Sequence, residues 1–430
     1  MPASTTPPAS TRPPASTTPP LPTTPPLPTD VPSGRRTRPG GWPAVIAVTL
    51  GIFSIVTTEI LPIGLLTPIG DTFGISDGTA GLMMTLPGIL AAVAAPSVTV
   101  TTGRVDRRRM LCALILLLAL ANFLAAAAPG YWLMLVSRVL VGLVIGAFWS
   151  IGASLASRLV PEAQAGRATA VIFSAVPLGS VLGVPAGTLL GQLAGWRAAF
   201  TVMGVVTLAV LAALVVSVPP LPPVKVTRLR VLRGLLGTPR VRVGLAATFL
   251  VVLAHFGTYT YVTPFLAEVT HAGPRSIALF LLAYGVAGIA GNFLAGTWVR
   301  RNLRRTYTAA ACLLAFATLL LPVLGTGRLG ALLLLLLWGA AYGAVPVCSQ
   351  TWFATAAPDA PEAGTVLFTS SFQATLSLGA LAGGTVVDAT STTAVMVLGG
   401  SIAVLAAGIT APVRMWRWGG GRRWAVLDRR

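Results

Sequence analysis

A single carboxylate, Glu59, interrupts one of the most apolar stretches of the chain, GIFSIVTTEILPIGLLTPIG at residues 51–70. An ionised side chain held in a hydrocarbon layer is costly, so such a residue faces a cavity, is paired, or binds a proton. A second buried charge, Arg138, stands in another apolar segment. A carboxylate that either a proton or a cationic ligand can neutralise is suited to coupling their movements, and Arg138 at the same depth would favour its ionised form. The alternative is that Glu59 reaches the headgroups at the membrane surface.

The elements that must hold these charges are long apolar helices. Of 430 residues, 54% are hydrophobic and 10% are charged, whereas soluble domains carry about 25% charged residues. Apolar runs of about 20 residues recur, which is the length that crosses a bilayer as a helix with all backbone groups satisfied. The sequence therefore predicts an all-α membrane protein with twelve transmembrane helices. The predicted spans are 43–68, 79–101, 110–128, 131–155, 166–190, 196–218, 241–266, 276–298, 306–325, 329–353, 363–386 and 392–413.

These spans place the two buried charges at similar depths. Glu59 lies about 24 Å along the first span from its beginning near residue 43. Arg138 lies about 10 Å along the fourth span, which enters from the opposite face near residue 131. The two residues are therefore predicted to lie at similar depths, in the outer half of the membrane.

The distribution of positive charge predicts the orientation. Nearly all of the 30 Lys and Arg residues fall in the two tails and in alternate loops, all on one face of the predicted helices. The positive-inside rule places that face and both termini in the cytoplasm. The predicted location is the inner or plasma membrane of the cell. The formal charge of +19 follows from this topology and does not indicate a nucleic-acid partner.

Composition also predicts the domain organisation. Residues 1–41 are rich in Pro and Thr and repeat PAST at 2–5, 8–11 and 14–17, so we expect a disordered cytoplasmic tail. A six-helix bundle at 42–218 is followed by a basic cytoplasmic linker at 219–240. A second six-helix bundle follows at 241–414, then a basic tail at 415–430.

The two predicted bundles share an internal repeat. Gly142 and Gly146 precede Gly339 and Gly343 by 197 residues each, and Pro161 precedes Pro358 by the same distance. The first span carries TEILP at 58–62, and the seventh carries TYVTP at 260–264. A repeat of six helices in one orientation predicts two bundles related by a pseudo-two-fold axis along the membrane normal.

Three motifs give the chain a resemblance to a known family. The loop after the second span reads TTGRVDRRRM, the fourth span contains Arg138 four residues before Gly142, and the fifth contains GSVLGVPAGTLLG. In this pattern the chain resembles the major facilitator superfamily, and within it the twelve-helix drug:proton antiporters that include sugar-efflux and chloramphenicol-efflux permeases. The match departs from the family pattern at Arg109, where a second glycine is usual, and at Val184, where the helix-5 motif has a Gly-Pro pair.

The resemblance implies roles for two of these motifs. Asp106 with Arg107 would form a conformational gate, with Asp106 pairing with a basic residue or a helix N-terminus across the bundle interface. The alternative is an ordinary screened surface ion pair. The helix-5 motif would form a tight, bent interface between the two halves that limits leak, although its glycines are equally suited to helix packing alone. Its residues are Gly179, Gly183, Pro185, Gly187 and Gly191.

The resemblance also indicates where a substrate binds, because helices 1, 4, 7 and 10 face the central cavity in this family. The predicted substrate contacts are Tyr259, Tyr261, Gln350, Trp149 and Phe148. Each of them, taken alone, is better explained as a contact between helices.

The sequence thus predicts a monomeric secondary transporter that exports small amphipathic, drug-like compounds in exchange for protons by alternating access. Export of a sugar or other metabolite is the alternative, and a membrane sensor without transport is a further one. The predicted partners are a small-molecule substrate, protons and the lipid bilayer, with no nucleic acid. No cofactor or metal is expected, since three cysteines and two histidines show no ligand spacing, and no residue set placed for catalysis indicates an enzyme.

Overall fold

The structure is a computed structural model that describes residues 41–101, 105–152, 156–222, 234–358 and 360–411. Residues 1–40 of the predicted N-terminal tail, residues 223–233 of the predicted linker and the whole of the predicted C-terminal tail lie outside the described residues. So do residues 102–104 of the loop motif.

The described chain is built of helices. In the first half these are α1 (Gly41–Ile60, a 3₁₀ turn Leu61–Leu65, and Leu66–Phe73), α2 (Asp77–Ala80 and Leu82–Thr101), α3 (Arg107–Ala126), α4 (Tyr131–Gly152), α5 (Glu162–Ala194, after a short helix Ala156–Leu159) and α6 (Trp196–Ser217). In the second half α7 comprises Pro239–Tyr259 and Val262–Glu268, and α10 (Arg328–Ala356), α11 (Pro361–Ala389) and α12 (Thr392–Thr410) end the bundle. Between them runs the helix Pro274–Leu324.

That long helix contains two spans. Asn302 has non-helical angles, φ −156° and ψ 94°, and it divides the helix into α8 at 274–301 and α9 at 303–324. The described residues contain 11 helices long and apolar enough to cross a membrane when Pro274–Leu324 is taken as one, and the break at Asn302 makes twelve. The prediction of a twelve-helix, all-α membrane protein is confirmed.

Glycine pairs give the two bundles the same internal packing. Gly142 and Gly146 of α4 lie against backbone carbonyls of α2, where an added Cβ has no room. Gly339 and Gly343 of α10 lie in the same way against carbonyls of α8. The residues that revealed the repeat are therefore those that let equivalent helices approach closely in each bundle.

The first helix of each bundle is interrupted at its repeated motif. The regular part of α1 ends at Ile60 and that of α7 at Tyr259, just before Pro62 and Pro264. A proline has no N–H to donate to the helix ladder and its ring crowds the preceding turn. Both breaks therefore follow from the same local chemistry in TEILP and TYVTP.

The two bundles meet mainly where α2 packs against α11 and α5 packs against α8, with further contacts of α1 with α7 and of α4 with α11. We call this contact the seam. The face of the molecule at which α1 begins, which also carries Arg107–Arg109 and Arg300–Arg305, is called the basic face. The face at which α1 ends is called the opposite face.

Candidate functional site

Glu59 lies in the seam. It occupies the last turn of the regular part of α1 and is 8% exposed. Its Oε1 accepts a hydrogen bond of 3.1 Å from Gln373 Nε2, and Gln373 belongs to α11 of the second bundle. The carboxylate thus bonds across the two bundles at a buried position, and it does not extend to the membrane surface.

Arg138 lies beside Glu59 without pairing with it. Its Nη1 donates to the carbonyl of Thr58 at 3.1 Å, and its guanidinium lies 5.1 Å from the centre of the Phe200 ring. The side chain is fully buried, and Nη2 has no hydrogen-bond partner in the described structure. The two charges lie at the same depth, as predicted. In this conformation Arg138 bonds the backbone of α1, whereas Glu59 bonds the second bundle.

An aromatic cluster fills the second bundle next to this pair. His255 stacks on Tyr342 with ring centres 3.3 Å apart and accepts a hydrogen bond of 3.1 Å from Trp338. Tyr259 stacks on Tyr284 at 4.7 Å. The members of the aromatic cluster are His255, Phe256, Tyr259, Tyr284, Trp338, Tyr342 and Phe372. The buried histidine is therefore satisfied within the cluster.

Tyr342 is a member of the aromatic cluster that lies within electrostatic range of Glu59. Its side chain is partly exposed. Gln350 is exposed and follows Tyr342 by eight residues, about 12 Å further along α10 toward the basic face.

The other predicted substrate contacts have different surroundings. Tyr259 belongs to the aromatic cluster, but Tyr261 is fully buried and donates to the carbonyl of Ala380 at 2.7 Å. Phe148 is buried in the apolar core of the first bundle, and the partly buried Trp149 packs against it edge to face. The structure therefore brings Tyr259 together with Tyr342, whereas Tyr261 forms part of the seam and Phe148 part of a core.

Asp106 has a local role in this conformation. It is the N-cap of α3, and its Oδ1 accepts from the backbone N–H groups of Arg108 at 2.9 Å and Arg109 at 3.3 Å. Arg107 is buried and contacts the sulfur of Met110. The described contacts of Asp106 do not show the expected pairing across the bundle interface, because the first-turn N–H groups of its own helix are the nearer donors to its carboxylate.

The glycine stripe of α5 also differs from expectation. A Cβ at Gly179 would contact Val56, one at Gly183 would contact Ile60, and one at Gly187 would contact Leu61. Gly191 faces α1 in the same way. The stripe therefore packs against α1 of its own bundle and not against the second bundle, and the helix also contains Pro177 and Pro185. The contact of α5 with the second bundle is made by Val181, against Gly285 of α8.

Sequence reasoning missed the partners that define the site. Gln373 and Tyr342 were recognisable only as polar side chains within apolar spans, and nothing in the sequence pairs them with Glu59. Asp388, near the end of α11, was also overlooked. Its carboxylate accepts from the Ser76 hydroxyl at 2.7 Å and from the Gly78 N–H at 2.9 Å, both in the first bundle.

A separate cavity of about 430 Å³ lies between α7 and α11 near the basic face. Its lining is mostly apolar and consists of Leu236, Leu245, Ala246, Phe249, Leu367, Ser370 and Ser371. None of the predicted substrate contacts lines it, so it does not belong to the Glu59 site.

The described residues offer no metal site, since no group of three His, Cys, Asp or Glu side chains among them could hold an ion. The three free cysteines lie in α3, α9 and α10.

Comparison with known proteins gives one consistent family. The family model described as Major Facilitator Superfamily matches residues 48–369. "Transcription regulatory protein OpdE" of Pseudomonas aeruginosa is 33% identical over 375 residues, covering 86% of this chain and 93% of that protein. "Purine ribonucleoside efflux pump NepI" of Escherichia coli (strain K12) is 32% identical over 380 residues, covering 88% of this chain and 96% of that protein.

Solved structures share the fold. A bacterial homologue of the human lysosomal transporter Spinster aligns with a TM-score of 0.69 and 15% identity over 85% of this chain and 95% of its own. A POT family transporter in complex with 5-aminolevulinic acid aligns with a TM-score of 0.70 and 11% identity, over 85% of this chain and 94% of its own. With its twelve helices in two repeated bundles, its buried seam and this family match over most of its length, the chain belongs to the Major Facilitator Superfamily.

Proposed function

We propose that this protein exports small planar or amphipathic compounds in exchange for protons, by alternating access, with Glu59 as the shared site. The basic face is then cytoplasmic, as the positive-inside rule predicts. The observation that carries the proposal is the hydrogen bond between Glu59 of α1 and Gln373 of α11, which joins the two bundles at a buried carboxylate.

This bond supports coupling for a physical reason. A hydrogen bond to an ionised acceptor is stronger than one between neutral groups, so the bond from Gln373 favours closure most when Glu59 carries its charge. A proton or a cationic ligand on Glu59 weakens that bond and makes separation of α1 from α11 easier. Occupancy of one carboxylate is thereby linked to the relative movement of the bundles.

The surroundings of Glu59 favour ring compounds as substrates. The aromatic cluster presents stacked rings in the second bundle, and Tyr342 of that cluster lies within electrostatic range of the carboxylate. Aromatic side chains stack favourably on planar rings. A sugar would call for a denser set of polar side chains than the few that surround Glu59.

The relatives support efflux and add a candidate. One related protein bears the name of a purine ribonucleoside efflux pump, which makes nucleosides the first metabolites to test beside drug-like compounds. Another bears the name of a transcription regulatory protein, which keeps sensing without transport as the second candidate function.

The test is proton movement in proteoliposomes containing a pH-sensitive dye. We would add chloramphenicol, a cationic dye, arabinose and a purine nucleoside in turn to the wild type and to Glu59→Gln. We expect one ring compound to drive proton movement in the wild type and at least a tenfold lower rate in Glu59→Gln. Glu268→Gln is the matched control, since Glu268 accepts a hydrogen bond from Thr392 within its own bundle, and its rate should stay near that of the wild type.

Three outcomes decide between the proposals. Equal rates in the wild type and Glu59→Gln would refute the coupling role of this carboxylate. Substrate movement without proton movement would retain transport and reject antiport. Binding of a compound without any movement of it, in protein shown to be folded, would favour sensing.

A further inference from the structure

The seam at the opposite face holds a carboxylate that the proposed chemistry does not use. Asp388 of α11 accepts a hydrogen bond from the Ser76 hydroxyl through Oδ2 at 2.7 Å and from the Gly78 N–H through Oδ1 at 2.9 Å. Ser76 and Gly78 stand at the beginning of α2 in the first bundle. Both oxygens of this side chain are therefore bonded to the other bundle.

The backbone around Asp388 is arranged so that these bonds can form. A Cβ at Gly78 would collide with the carbonyl of Gly384 and with the Asp388 carboxylate. A Cβ at Gly384 would lie 3.1 Å from Gly78 Cα and would also crowd the Tyr261 hydroxyl. Any side chain at these two glycines would separate α2 from α11. Because these two glycines have no side chains, the carboxylate of Asp388 reaches the turn that begins α2.

A second cross-bundle bond lies on the same side of Glu59. Thr263 of α7 donates to the carbonyl of Ile63 in the 3₁₀ turn of α1 at 3.0 Å. This bond and the two at Asp388 close the seam between Glu59 and the opposite face. Of them, only those at Asp388 have a charged acceptor, which makes them the stronger contribution.

We propose that Asp388 is a latch that holds the seam closed at the opposite face, and that it positions the bundles during transport without contacting substrate. The inference rests on the proposed alternating access, because opening toward the opposite face requires α2 and α11 to separate there. Both bonds of Asp388 must break in that movement. Loss of the carboxylate therefore shifts the conformational balance toward the state that is open at this face.

Asp106 shows why position matters for such a carboxylate. It also accepts from backbone N–H groups at the start of a helix, but that helix is its own. Movement of the bundles leaves its bonds intact, whereas the same movement breaks those of Asp388. Asp388 can act as a latch because its hydrogen-bond donors belong to the other bundle. Asp106 makes the same type of contact within its own helix and cannot.

The test measures the distance across the opposite face independently of transport. Spin labels would be placed at Gln192→Cys near the end of α5 and Arg328→Cys at the start of α10, in a background without the three native cysteines. Both side chains are exposed and lie at the opposite face. Double electron–electron resonance in lipid nanodiscs then reports the populations of the closed and open states.

Two variants act on the latch in different ways, and one is a control. Asp388→Asn removes the charge at nearly constant size, and Gly78→Ala inserts a methyl group between α2 and α11. We expect each to raise the open-to-closed ratio about tenfold, as loss of one charge-assisted hydrogen bond predicts. Gly296→Ala adds the same methyl group on α8, where nothing lies within 4 Å of it, and should leave the ratio unchanged.

The outcomes separate the latch from the transport proposal. An unchanged distance distribution in both Asp388→Asn and Gly78→Ala would overturn the latch, and so would an equal shift in Gly296→Ala. Because the readout is a distance, a latch confirmed in protein that moves no substrate would refute the proposed export alone. Monodisperse elution of each variant establishes that the measured protein is folded.

Discussion

Two glycines on α8 provide a matched test of how the second bundle is held together. Gly291 faces α10, and a Cβ added there would lie 2.7 Å from the carbonyl carbon of Ala340 and 2.8 Å from its Cα. Gly296, one turn further along the same helix, has nothing within 4 Å of an added Cβ. The substitution of alanine is chemically identical at both positions and differs only in what the methyl group meets.

The structure gives the size of the expected difference. Carbon atoms in contact are best placed about 3.5–4.0 Å apart, so Gly291→Ala must push α8 and α10 apart by roughly 1 Å. Overpacking of this kind costs about 1–3 kcal/mol. Both substitutions gain up to about 1 kcal/mol from replacing a helical glycine, and that gain cancels when the two variants are compared.

The assay is thermal unfolding in detergent, followed by size-exclusion chromatography with fluorescence detection. We expect Gly296→Ala to melt at or above the temperature of the wild type and Gly291→Ala to melt below Gly296→Ala, by the equivalent of about 1–3 kcal/mol. Since α8 and α10 carry Tyr284 and Trp338 of the aromatic cluster, Gly291→Ala should also weaken substrate binding. Equal melting temperatures for the two alanine variants would refute the close approach of these helices.

Three further substitutions test individual contacts of the described structure. Tyr261→Phe removes a hydroxyl that bonds a backbone carbonyl of α11, and we expect a loss of about 1 kcal/mol in thermal unfolding; an unchanged melting temperature would contradict that bond. Trp338→Phe leaves the buried His255 nitrogen without its donor, so we expect a loss of about 1–3 kcal/mol, and a more stable variant would argue against this contact. Arg138→Lys replaces a guanidinium that bonds the Thr58 carbonyl, and we expect at least tenfold slower transport in folded protein; full activity would show that charge alone suffices.

Local sequence chemistry was sufficient to predict most of the fold. Spans of apolar residues must be helical in a bilayer because no water is present to satisfy the backbone. The repeated Gly142 and Gly339 revealed two equivalent bundles, since close helix packing requires the same small residues in both. The breaks in α1 and α7 are local as well, because Pro62 and Pro264 cannot complete the helix ladder.

The site could be predicted only in part. Glu59 and Arg138 were identifiable as buried charges, because an ionised side chain in an apolar span is rare and calls for a partner. The partner itself was not identifiable. Many polar residues occur in the spans, and which of them reaches Glu59 depends on the rotation of α11 against α1.

By itself, the sequence determined the helices, their repeat and the presence of buried charges, since these depend on composition and on neighbours along the chain. Only the tertiary structure decided that Glu59 bonds Gln373, that the glycine stripe of α5 faces α1, and that Asp388 joins α11 to the turn that begins α2. Each of these contacts links residues far apart in the chain, where a rotation of one helix by a few tens of degrees would select a different partner. The packing of whole helices fixes that rotation, and no short motif encodes it.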